Sequence, residues 1–259
     1  MKNQVNWYKR LNPNTQAPAV LVCFPYAGGG VSVYRPWTRA FTDNFEIIAA
    51  DLPGRDSRLK EAPWEDLEAI VAMLAMGLEP LIAGRPFAFF GHSFGALLAF
   101  ETARYLRRQR AELPFCLFAS GREAPSRREP GRHLHNLPDD EFVDEMISRY
   151  DGIPQMLLDE PDLLALFMPA MKADLRLTET YDYVPDAPFD FPLHILSGRN
   201  DKRLTPDLLR PWSQHTKQPA PVTYFDGGHF FIRESQFPVT RYVSLTLHAL
   251  LAESELELA

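Results

Sequence analysis

Six short runs of apolar, β-branched and aromatic residues punctuate the chain: Ala19–Phe24 (AVLVCF), Phe45–Asp51 (FEIIAAD), Phe87–Gly91 (FAFFG), Phe115–Ser120 (FCLFAS), Pro192–Ser197 (PLHILS) and Val222–Phe225 (VTYF). Most are continuously apolar rather than alternating, the pattern of strands covered on both faces. Between them, Val33–Thr42, Trp64–Leu81, Ala96–Arg108, Asp207–His215 and Pro238–Ala252 place apolar residues at helical spacing. Strands alternating with helices predict an α/β fold, a mostly parallel twisted sheet with helices on both faces. From Pro125 to Val184 the rhythm breaks, with no strand pattern but two helical ones, Asp139–Tyr150 and Pro161–Tyr181. An insertion that long between late strands is expected to cap the sheet, the alternative being a helical domain beside it. The reading is one domain over 1–259 with a helical insertion at 125–184; the closing AESELELA is expected to be a fraying helix end.

Composition narrows the class. The chain has 259 residues, 46% hydrophobic and 24% charged, which excludes disorder, collagen and coiled coil. A net charge of −7 argues against a nucleic-acid partner. Only Cys23 and Cys116 are present, both inside apolar runs, so buried, inert thiols and a cytoplasmic compartment are expected. The opening MKNQVNWYKR has no apolar stretch behind it, and no run approaches the ~18 residues of a membrane helix, so neither a secretory signal nor a membrane partner is expected. Nothing in the pattern demands more than a monomer.

The strongest local signal is FAFFGHSFGA, Phe87–Ala96, which reads as strand, Gly-His-Ser-Phe-Gly turn and helix. A strand feeding G-x-S-x-G and a helix leaving it form a strained turn that projects Ser93 Oγ into a cleft. A serine hydroxyl needs a base, and the base needs an orienting acid. His229, in Asp226-Gly227-Gly228-His229 after the last strand, is the candidate base. Of the other histidines, His194 is expected in a strand, His215 and His248 on exposed helix faces, and His92 in packing beside the nucleophile. His133 and His135 suggest a metal pair, but no third ligand stands at sensible spacing. Two carboxylates end neighbouring strands, Asp201 and Glu123; both could reach His229, and the longer turn favours Asp201. Oxyanion donors are expected from the Phe94 N–H and from Pro25-Tyr26-Ala27-Gly28-Gly29-Gly30, with Ala27 favoured over Tyr26.

The motifs FPYAGG (Phe24–Gly29), DLPGR (Asp51–Arg55), GHSFGA (Gly91–Ala96), GRND (Gly198–Asp201) and GGHFF (Gly227–Phe231), in this order, resemble the type II thioesterases. These are stand-alone α/β-hydrolases that accompany polyketide and nonribosomal peptide synthetases. The resemblance spans Val20 to Leu250 and implies that Ser93, Asp201 and His229 form the triad and that the insertion is a lid. The implied activity is hydrolysis of acyl thioesters from the phosphopantetheine arm of acyl or peptidyl carrier proteins, clearing stalled modules with no cofactor of the enzyme's own. Asp56 departs from the family, which often carries a glycine there. Carrier proteins are usually acidic, so Arg122, Arg127, Arg128 and Arg132, where the cap begins, are candidates for docking; Arg104, Arg107, Arg108 and Arg110 read as a solvated helix face. Met146, Met156, Leu166, Phe167, Met168 and Met171 are candidates for an acyl-lining surface. The alternatives are a medium-chain fatty acyl thioesterase or a general carboxylesterase on the same scaffold; a catalytically silent binding protein would have no need of all three triad residues.

Overall fold

The structure, a computed structural model, describes residues 6–41, 44–127, 133–150 and 158–257. Seven strands form one sheet: β1 (Tyr8–Arg10), β2 (Ala19–Phe24), β3 (Phe45–Ala50), β4 (Phe87–His92), β5 (Cys116–Ser120), β6 (Leu193–Gly198) and β7 (Val222–Phe225). Their order is β1-β3-β2-β4-β5-β6-β7. Every pairing is parallel except β1 with β3, which is antiparallel. All six expected strands are present, and β1 is additional.

Period-two geometry sends alternate residues of each strand to opposite faces. Val20, Val22, Phe24, Phe87 and Phe89 join one core cluster, while Ala19, Leu21, Cys23, Ala88 and Phe90 join the other. The first face is covered by α1 (Leu67–Ile82) and α2 (Phe94–Arg108). Asp66 starts α1 by accepting the Ala69 N–H at 3.0 Å. The opposite face carries a 3₁₀ segment, Val31–Ala40, and the last long helix. Two sequence expectations shift here. The helical spacing over Val33–Thr42 corresponds to the 3₁₀ segment Val31–Ala40, with Pro36 inside it; Thr42 lies outside the described residues. Asp207–His215 splits into a short α-helix, Pro206–Leu209, and a 3₁₀ turn, Arg210–His215. In both, a proline removes an N–H that an α-helical ladder would use.

Between β5 and β6 the described residues form α3 (Asp139–Tyr150) and α4 (Pro161–Glu179). They pack on the carboxyl-end loops of the sheet through a third cluster containing Phe142, Met146, Tyr150, Met168, Met171 and Phe230, with Tyr26 and Ala27 at its edge. The helices that follow α4 are α5 (Pro206–Leu209), α6 (Phe231–Glu234) and α7 (Gln236–Glu257). No helix among the described residues is long and apolar enough to cross a membrane.

Candidate active site

Ser93 sits between β4 and α2 with φ 54° and ψ −114°, a strained conformation for a residue with a side chain. The turn is too tight for methyl groups. A Cβ on Gly91 would lie 2.1 Å from the Gly95 carbonyl oxygen, and one on Gly95 would lie 2.0 Å from that of Phe24. The Ser93 N–H donates to Ser120 O at 2.7 Å, tying the turn to β5. Packing Gly95 onto Phe24 brings the start of α2 against the loop that leaves β2. That loop turns at Tyr26–Gly29, where the Gly29 N–H donates to Tyr26 O at 2.8 Å and Gly28 has φ +72°. A left-handed residue at the third turn position suits glycine. Among the described residues, neither the Ala27 N–H nor the Phe94 N–H donates a hydrogen bond. Two unspent donors thus flank the elbow.

His229 follows β7 and Asp201 follows β6. Nδ1 of His229 donates to Asp201 Oδ2 at 2.8 Å, with both side chains buried. The two loops are joined by main-chain hydrogen bonds, Arg199 N to Phe225 O at 2.8 Å and Asn200 N to Gly227 O at 3.0 Å. Burial alone would raise the pKa of Asp201; the His229 hydrogen bond and charge, with the N–H and charge of Arg203, bring it below its ordinary value. Among the described residues no hydrogen bond joins Ser93 Oγ to the imidazole. Such contacts are commonly long before substrate binds.

Glu123, the other candidate acid, has no hydrogen bond to the imidazole among the described residues, although it feels the charge of His229. Burial raises its pKa, and Arg122, Arg203, its own N–H and His229 outweigh that, leaving it below the ordinary value. Tyr150 of α3 meets the His229 ring edge-on at 5.1 Å, and Arg203 lies over the Tyr150 ring at 4.4 Å. Periodicity in the insertion gave no hint that one of its tyrosines touches the imidazole.

His92 is fully buried. Its Nδ1 lies 2.9 Å from Ser120 Oγ and its ring packs 5.2 Å from that of His229. Burial, then the charge of His229, pushes its pKa well below the ordinary value, so it is neutral. His194 lies in β6 with Nδ1 3.0 Å from Tyr242 Oη. His215, read as exposed, is instead buried against Phe100, Trp212 and Tyr183. Glu179 of α4 supplies the third group that the His133–His135 spacing lacked, making a three-residue cluster. Its Oε1 accepts the Leu134 N–H at 2.9 Å, and its Oε2 accepts the His135 N–H at 3.3 Å and lies 2.5 Å from His135 Nδ1. Both oxygens are therefore spent on capping the turn at Leu134–Asn136.

The arginines divide differently from their sequence grouping. Arg122 is buried, so its guanidinium is no surface contact; Arg127 is exposed; Arg128 and Arg132 lie outside the described residues. Arg104 is also buried. It pairs with Glu101 and donates to Val184 O at 2.6 Å, while Arg107 donates to Ala187 O at 2.7 Å. These two tether the chain leaving the insertion to α2 rather than forming a solvated face; Arg108 and Arg110 are exposed. Of the apolar candidates, Met146, Met168 and Met171 are buried, Phe167 is partly so, Leu166 is exposed, and Met156 lies outside the described residues.

Residues 19–246 match the family described as Thioesterase domain. The gramicidin S biosynthesis protein GrsT of Aneurinibacillus migulanus is 37% identical over 251 residues, 96% of this chain and 97% of that protein. The solved type II thioesterase BorB, from the borrelidin biosynthetic cluster, is 33% identical with a TM-score of 0.82, covering 95% of this chain and 97% of that one. The crystal structure of ClbQ, from the colibactin NRPS/PKS pathway, superposes with a TM-score of 0.85 at 30% identity, covering 90% and 98%. The scaffold is that of the α/β-hydrolases.

Proposed function

The chain belongs to the thioesterase domain family, and on that premise we propose that it hydrolyses acyl thioesters from the phosphopantetheine arm of acyl or peptidyl carrier proteins, as an editing enzyme of a nonribosomal peptide or polyketide synthetase. The observation that carries the chemistry is the buried Asp201–His229 pair, 2.8 Å apart, on the loops beside the strained Ser93 turn. Likeness to GrsT, BorB and ClbQ supports the substrate class.

Ser93 Oγ attacks the thioester carbonyl while His229 Nε2 takes its proton. Asp201 holds Nδ1–H, which fixes the tautomer and stabilises the imidazolium. The Ala27 and Phe94 N–H groups receive the oxyanion. Collapse of the tetrahedral adduct expels the pantetheine thiol, which gains a proton from the imidazolium. With a thiol pKa near ~8.5, that departure needs less help than an alkoxide would. Water then enters, gives a proton to His229 and cleaves the acyl-serine, regenerating Ser93. The cluster of Met146, Met168, Met171 and Phe230 gives the acyl chain an apolar wall, and the α3–α4 insertion acts as the lid over it. In this reading phosphopantetheine arrives with the substrate, the enzyme has no cofactor of its own, and it works in the cytoplasm beside its synthetase.

The test is a substrate panel on the purified protein: one acyl group on a phosphopantetheinyl carrier protein, on coenzyme A and on p-nitrophenol. The expected order of kcat/KM is carrier protein, then coenzyme A, then p-nitrophenyl ester. A preference for the oxyester would favour a general carboxylesterase, and equal use of coenzyme A would remove the carrier from the proposal.

A further inference from the structure

We infer that the buried pair Arg55–Asp174 is a positioning device for the oxyanion loop, holding the Ala27 amide toward the reacting carbonyl from behind; this rests on the assignment of Ala27 as a donor. Asp174 lies on α4, and Arg55 in the loop after β3. Both side chains are 2% exposed. Oδ1 of Asp174 accepts Arg55 Nη2 at 3.0 Å, and Oδ2 accepts both Arg55 Nη1 and the Gly28 N–H, the latter at 2.8 Å. The guanidinium also donates from Nη1 to Gly29 O at 3.4 Å and from Nε to Pro53 O at 3.2 Å. One ion pair therefore grips the N–H of Gly28 and the carbonyl of Gly29, one group on each of the two residues that follow Ala27.

Stability does not explain this arrangement well. Burying two charges costs several kcal/mol per ion, and well-packed apolar replacements are often as stable or more so. An apolar pair, however, could not accept from the Gly28 amide. The turn also needs an external hold, because Gly28 has φ +72° and glycine is the residue freest to leave that conformation. A carboxylate gives the amide a charge-assisted acceptor, stronger and more directional than a neutral carbonyl. The Ala27 N–H, left with no partner by the same turn, is then held in one orientation. Since Asp174 belongs to the insertion, this point of α4 is fixed to the oxyanion loop.

A transition-state donor that is misplaced lowers kcat and kcat/KM together and leaves KM nearly unchanged. The experiment compares Asp174→Asn, Arg55→Lys and the double variant Arg55→Met/Asp174→Leu with the parent and with Ser93→Ala. Hydrolysis of a small acyl thioester, urea midpoints and affinity for an alkyl boronic acid, which forms a tetrahedral adduct on a catalytic serine, are measured on each. Displacing one donor by about an ångström is expected to lower kcat about 10- to 100-fold. The boronic acid affinity should fall by a similar factor, with KM within about threefold of the parent. The double variant should regain the parent's urea midpoint without regaining kcat. If it regains both, or if KM rather than kcat carries the loss in the stable variants, the pair is structural only and the inference fails. If any single variant does not fold, the double variant still decides. Ser93→Ala separates the levels, because an active Ser93→Ala would sink the serine mechanism itself.

Discussion

Nδ1 of His229 donates to Asp201 Oδ2 across 2.8 Å, and the loops bearing the two residues are stitched together by their own main chains at Arg199–Phe225 and Asn200–Gly227. The imidazole thus owes its location to backbone and its tautomer to the carboxylate. Removing the charge of residue 201 should leave the ring in place and lose only the second contribution.

From this, Ser93→Ala is expected to lower thioester turnover about 10⁶-fold and Asp201→Asn roughly 10⁴-fold. Glu123→Gln, which removes a charge near His229 without touching its hydrogen bond, is expected to cost less than about tenfold. Steady-state hydrolysis of one acyl thioester by the three proteins checks the order. A Glu123→Gln loss larger than that of Asp201→Asn would exchange the roles of the two acids.

Gly95→Ala tests the elbow. Its methyl carbon would sit 2.0 Å from Phe24 O, a main-chain atom held in the central sheet. The expected loss is about 3 kcal/mol or more, or failure to accumulate as soluble protein. Urea unfolding monitored by circular dichroism reads it.

Asp56 holds φ +42°, where glycine would be unstrained, and compensates by accepting the Ser32 N–H at 3.0 Å and the Ser32 hydroxyl at 3.2 Å. Asp56→Ala keeps the strain and loses the cap, so a cost of about 1–2 kcal/mol is expected. Asp56→Asn, which tolerates the left-handed region and still offers an oxygen, should cost less than half of that. Equal midpoints for the two variants in urea would show that the cap contributes nothing.

Two buried histidines, His92 and His215, and the half-buried His194 set an acid limit on stability. Burial lowers the pKa of His194 and of His215 to about 4, and that of His92 well below its usual value. With about 6.5 in the unfolded chain, the unfolded state binds the extra protons, so stability is full above pH 6.5 and is lost as pH falls toward 4. Each such group contributes a slope of at most about 1.4 kcal/mol per pH unit. Urea midpoints measured at intervals from pH 7 to pH 4.5 should decline, and less steeply in a His194→Gln/His215→Gln variant. An unchanged slope would mean that these imidazoles are protonated in the folded protein.

Six strands could be read from sequence, five of them, β2 to β6, because being covered on both faces demands mostly apolar runs. β1 could not, being three residues, YKR, whose Arg10 pairs with the buried Glu46 of β3. The elbow was legible because its chemistry is local, with glycines, serine, strand and helix all contiguous. The hold on Gly28 was not, since Asp174 stands 146 residues away and resembles any acidic residue of an amphipathic helix. His215 and Arg122 were misread for one reason. A polar residue in a short, proline-broken segment carries no periodicity from which to infer its burial. The two 3₁₀ segments had the same ambiguity, since over ten residues a three-residue repeat and a 3.6-residue repeat overlap.

The outer strands of the sheet, three residues in β1 and four in β7, are its shortest, and β1 carries Lys9 and Arg10. A foreign strand seeking to extend the ladder would find few free amides on either flank, and cationic side chains on one of them. The two edges of this sheet therefore give cross-β growth little to seed on.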